Sequence, residues 1–139
     1  MKEGFKCADP WLLLSIIYAN QQGNSSLLSI IGFGDAINHA IFSLEELQGG
    51  VGRLIKFGYI IKKRNKFVPT DKILISYKKS CNKRRHVFKE LEFIRKELKA
   101  PAWSDEYHPS KANVGCSYKG ITKEILEKAY NEYIQKVKQ

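Results

Sequence analysis

The stretch "SLEELQGGVGRLIKFGYIIKKRNKFVPTD" (residues 43–71) constrains the fold more than any other part of the chain. Ser43 followed by Glu46 is a capping-box pattern: the serine oxygen accepts from the backbone N–H three residues on, and the glutamate reaches back. Apolar residues at Leu44, Leu47, Val51, Leu54 and Ile55 fall on one helical face. Gly58 is the expected C-terminal stop. Gln48, Gly49, Gly52, Arg53 and Lys56 lie largely off the apolar face. Gly49, Gly50 and Gly52 weaken a helix, so something is expected to need small residues there. After Gly58, "YIIKK" reads as a strand, "RN" as a turn and "KFVPT" as the returning strand. Ile60 and Phe67 are expected to point inward, with Pro69 at an edge or strand end because it donates no ladder hydrogen bond. So short a hairpin draws its stability from packing on helices.

Upstream, Asp9 is a suitable N-cap and Pro10 a suitable first residue for a helix over residues 10–21. Its apolar run "WLLLSIIYA" spans residues 11–19, against about 20 needed to cross a bilayer. "YANQQ" offers no small-x-small cleavage site, so the run reads as a buried helix. Asn24 or Ser25 caps a second helix through "SLLSII". Gly32 and Gly34 cost a helix about 1 kcal/mol each, so "GFGDAINHAIFS" is expected to interrupt it, with Asp35 capping a further turn to Ala40.

Downstream, Thr70 or Asp71 starts a helix carrying Ile73, Leu74 and Tyr77. A break at residues 80–82 is favoured over one long helix, because Arg84 and Arg85 spoil a continuous heptad seam. Val87, Phe88, Leu91, Ile94 and Leu98 then form one stripe, with Glu92 and Lys96 as an i,i+4 pair. Residues 100–120 hold two prolines and two glycines and no period. They read as a long loop whose Trp103, Tyr107 and Tyr118 pack along the body. Thr122 caps a last helix to about residue 137, with Ile125, Ala129, Tyr133 and Val137 on one face.

Charge is distributed unevenly. Of the net +10, residues 1–60 contribute −1, residues 61–99 contribute +10 and residues 100–139 contribute +1. Such concentration is the footprint of a polyanion binder, whereas a merely lysine-rich chain spreads its cations. The 139 residues, 43 % hydrophobic, suit one folded domain. Cys7, Cys81 and Cys116 are odd in number and far apart, which fits reduced thiols in a cytoplasm better than a disulfide framework.

Three helices followed by a short basic hairpin resemble the winged helix-turn-helix superfamily of bacterial transcriptional regulators. There a helix ends in Leu-x-x-x-Gly-Tyr/Leu-Ile, a basic hairpin follows, and a threonine starts the next helix. The matching positions are Leu54, Gly58, Tyr59, Ile60, the tip from Lys62 to Lys66, and Thr70. The resemblance covers about residues 10–80 and singles out no one family. It implies a mainly α fold with a small β-hairpin: a winged-helix domain over residues 1–80, and a helical extension over 81–139 packing on it as one compact unit. It also implies a cytoplasmic regulator that binds double-stranded DNA, dimerises through its C-terminal helices and needs no cofactor. The helix over residues 43–57 would enter a major groove. Gln48 and Arg53 would meet base edges there, with Lys56 beside them. Lys62, Lys63, Arg64 and Lys66 would neutralise phosphates, with Lys83, Arg84 and Arg85 as a second basic cluster.

Glu45 and Glu46, in the first turn of that helix, suit capping and disfavour a polyanion. They keep open the alternative of a protein-interaction module without DNA binding. Catalytic and metal patterns are not assembled. His39 in "INHAI" sits among apolar residues, as a structural histidine does. His108 and Cys116 match no zinc spacing, and Cys81 and His86 make no convincing nucleophile pair. "GFGDAINHA" lacks the Gly-x-Gly-x-x-Gly spacing.

Overall fold

The computed structural model describes residues 4–81, 86–113 and 117–138. The fold is mainly helical with one small antiparallel hairpin. In order come α1 (Asp9–Gln21), α2 (Leu27–Asn38), α3 (Leu44–Lys56), β1 (Ile60–Lys63), β2 (Lys66–Pro69), α4 (Asp71–Ser80), α5 (Val87–Leu98), a 3-10 turn (Pro109–Lys111) and α6 (Lys123–Lys138). Among the described residues, no helix is long and apolar enough to cross a membrane.

Helix α1 is the central post. Trp11 to Ile17 are all buried, as a helix apolar on every side requires. Helices α2, α3 and α5 and strand β2 pack around it. Ile94 and Leu98 of α5 join the same core as Leu47, Leu54, Ile60 and Phe67. The N-cap of α1 is Ala8, which makes no side-chain cap bond. Asp9 does not cap; its carboxylate accepts from the Lys6 N–H at 2.7 Å and from Arg53.

Helix α2 is not interrupted. It runs through Gly32 and Gly34 from a Ser26 cap that accepts from the Ser29 N–H. A Cβ on Gly34 would stand 2.4 Å from the Phe42 ring. That ring stacks on Trp11 at 3.8 Å, and the Trp11 indole donates to the Gly34 carbonyl at 2.8 Å. Burying a large side chain is worth about 1.5–3 kcal/mol, which offsets the roughly 1 kcal/mol a glycine costs a helix.

The helix, turn and hairpin expected over residues 43–71 form. Ser43 and Glu46 close the capping box, and Gly58 has φ 81°. The strands pair Ile60 with Pro69 and Lys63 with Lys66 around Arg64 and Asn65, with Ile60 and Phe67 buried. Thr70 Oγ1 donates to the Gly58 carbonyl, the Thr70 N–H to the Tyr59 carbonyl, and Lys72 Nζ to the Phe57 carbonyl. These bonds lock the start of α4 onto the end of α3, so Thr70 serves the turn rather than capping α4 through its side chain.

Later elements depart from expectation in detail. Helices α4 and α5 are separate. Phe88 points outward, 67 % exposed, so the α5 stripe lacks it. Glu92 pairs with Arg95, one turn position nearer than Lys96, through two contacts of the guanidinium fork. On α6 only Ala129 is buried and Tyr133 is half-buried, while Ile125 and Val137 stay exposed. His39 is exposed at the C-terminus of α2 with φ 54°, not buried among apolar neighbours.

Candidate nucleic-acid interface

The helix expected to enter a groove is covered on its outer side by the chain itself. After α5 the chain comes back across α3, held there among the described residues by hydrogen bonds at Tyr107, Ala112, Asn113, Tyr118 and Ile121. The Tyr107 hydroxyl donates to Glu46 Oε2. Arg53 Nη2 donates to the Ala112 carbonyl at 2.7 Å. The Tyr118 N–H donates to the Gln48 carbonyl at 2.8 Å, and Gln48 Nε2 donates to the Ile121 carbonyl at 2.7 Å. Asn113 Nδ2 also reaches Gln48 Oε1 at 3.2 Å.

This packing answers the glycine question. A Cβ on Gly49 would lie 2.1 Å from the Ala112 carbonyl oxygen, and one on Gly50 2.6 Å from Leu12 and 2.9 Å from Asp9. The glycines let α3 sit between α1 on one side and the returning segment on the other.

Two expected base-reading residues are therefore corrected. Arg53 is 1 % exposed and its guanidinium grips Asp9, with Nε to Oδ2 at 2.7 Å and Nη2 to Oδ1 at 3.1 Å. Two buried opposite charges in bidentate contact cannot separate cheaply, so Arg53 is a structural tie and not a surface reader. Gln48 spends both ends of its amide on Ile121 and Asn113. Glu46 is also turned inward, bonded to the Ser43 N–H and to Tyr107. Of the two first-turn glutamates, Glu46 is buried and Glu45 half-buried.

The hairpin cations stand where the sequence puts them. Lys62, Lys63, Arg64 and Lys66 are all exposed. Among the described residues no carboxylate pairs with any of them. Arg64 takes φ 59° in the two-residue turn, a conformation that costs a residue with a Cβ. Lys56 is exposed at the end of α3, 5.8 Å from the Phe57 ring centre. Lys83, Arg84 and Arg85 lie outside the described residues.

Sequence reasoning missed Tyr118 as part of this surface. Its ring meets Phe67 of β2 edge-on at 5.7 Å, and Lys62 Nζ stands 5.9 Å from its centre. The ring rests on the bare Cα of Gly120, where a Cβ would lie 2.5–2.6 Å from its atoms. The signal was the Tyr-x-Gly spacing, which has no meaning until the hairpin is placed beside it.

No protein family, curated protein or solved structure matches this chain.

Proposed function

We propose that this protein is a winged-helix protein that binds double-stranded DNA through its hairpin, acting as a transcriptional regulator in the cytoplasm. The observation that carries the reading is the hairpin tip: four exposed cations within five residues, with no carboxylate partner among the described residues. Unpaired surface cations at that density release counterions from a phosphate backbone, and this supplies affinity without sequence information. The covered outer face of α3 supports backbone contact over base reading, since Gln48 and Arg53 are spent inside the fold. The Cys7 thiol, in no disulfide among the described residues, suits a reducing compartment. A homodimer through the C-terminal helices belongs to the same proposal, with Tyr130 and Val137 as exposed apolar contacts on α6.

The test is anisotropy with two duplexes of unrelated sequence at low salt. Lys63→Glu with Arg64→Glu should weaken binding to both alike. Unchanged affinity removes the hairpin as the contact.

A second reading, a protein-interaction module, is favoured by one observation. Phe88 and Trp103 are 67 % and 47 % exposed and line one recess of about 280 Å³ with Leu91 and Pro101. A stable hetero-complex that survives high salt is the sign of that reading.

A further inference from the structure

Between the hairpin and the start of α6 lies a recess of about 140 Å³, lined by Lys62, Asn65, Phe67, Tyr118, Ile121 and Ile125. Whole small-molecule sites run to about 300–1,000 Å³, so this recess suits one flat fragment of a larger ligand. Among the described residues no acidic side chain lines it. Its side-chain lining is aromatic and aliphatic apart from one amide and one ammonium, both on exposed residues, and it adjoins the four-cation tip. A polyanion bearing flat rings combines these features.

We infer that the recess is a nucleobase subsite: an unpaired base stacks on Tyr118, the Asn65 amide meets its edge, and the flanking phosphates lie on Lys62, Lys63 and Lys66. This rests on the DNA-binding reading and deepens it, because it assigns a preference for DNA with unpaired bases. The geometry of Tyr118 fits the task. Its backbone is anchored by the bond to Gln48, the Phe67 ring stands at 86° to it with centroids 5.7 Å apart, and Gly120 gives the ring the room that a side chain there would take. Lys62 yields the ring face readily. At 5.9 Å it stands at the far end of the cation–π range on an exposed side chain, and such a contact is weaker than a base–aromatic stack.

The experiment compares a short blunt DNA duplex with the same duplex carrying a single-stranded thymidine tail, by fluorescence anisotropy at low salt. The tailed duplex should bind about tenfold tighter, the size of one base–aromatic stack. Tyr118→Phe should keep that preference, and Tyr118→Leu should bring the tailed duplex down to the blunt one. Ile125→Glu provides a second variant at an exposed helical position, where glutamate is well tolerated. It places a carboxylate in the recess and should erase the preference while the hairpin stays intact. Equal wild-type affinity for the two duplexes overturns the subsite and leaves backbone binding standing. So does a preference that survives both Tyr118→Leu and Ile125→Glu. Failure of the wild type to bind either duplex overturns both readings.

Discussion

Arg53 lies on α3, the helix expected to enter a groove. By type and helical position it resembles a groove reader, yet it lies 1 % exposed against Asp9, 44 residues earlier. Removing one partner of a buried pair leaves the other charge uncompensated, at a cost of about 3–5 kcal/mol. Arg53→Ala should therefore destabilise the protein by that order in urea denaturation. Joint replacement by apolar residues, Arg53→Met with Asp9→Leu, should cost far less. A double variant as unstable as the single one contradicts the buried-pair account. Arg64 is the converse case, a residue expected in an exposed turn and found there. With φ 59° it carries backbone strain that glycine does not. Arg64→Gly should hold or raise stability, by up to about 1 kcal/mol, while weakening DNA binding. Local pattern reveals Arg64 because a two-residue turn is a local object. It could not reveal Arg53, because its partner is brought by the tertiary fold.

At the scale of elements, α3 with its hairpin was legible and α2 with the returning segment was not. A capping box, a glycine stop and a short turn are decided within a few residues. The continuity of α2 depends instead on Phe42 and Trp11 packing at Gly34, and the cover on α3 on Ala112 meeting Gly49. Gly49→Ala tests that cover. The clash is with a backbone carbonyl, so no side-chain rotation relieves it. The variant should lose about 1–3 kcal/mol, and the Tyr118 amide, bonded to the Gln48 carbonyl, should exchange faster with solvent. Gly4→Ala, with nothing within 4 Å of the new methyl, is the control. If both substitutions behave alike, the segment is not seated on α3.

The elements are also cross-linked by tyrosine hydroxyls donating to carboxylates. Tyr18 and Tyr77 both donate to Glu90, joining α1, α4 and α5, and Tyr133 donates to Asp35, joining α6 to α2. The bond to Asp35 pushes the Tyr133 hydroxyl up to about 12, with burial adding to the shift. Burial, then the bond to Glu90, raises Tyr18 and Tyr77 in the same direction. A raised folded value means the neutral form is favoured in the fold. The stabilisation is thus whole below the ordinary tyrosine value near 10 and is lost as pH rises through the folded value. Stability should fall between about pH 10 and 12, with delayed tyrosinate absorbance. Tyr133→Phe should remove its share of that fall. A flat profile there contradicts the bonds.

At the scale of the molecule, the net charge of +10 is a property of one region and not of the surface at large. The charge block was readable from sequence. That the hairpin tip is exposed while Gln48 and Arg53 turn to partners within the chain was not, because those partners are brought by the whole fold. If the hairpin cations bind DNA phosphates as proposed, binding must weaken with salt. The logarithm of the association constant for a blunt duplex should fall linearly with the logarithm of salt, by about 0.9 per phosphate contacted. Replacing Lys63 and Arg64 together by glutamine should reduce that slope by about 1.8, two contacts' worth. A slope near zero, or one unchanged in the double variant, would contradict the claim.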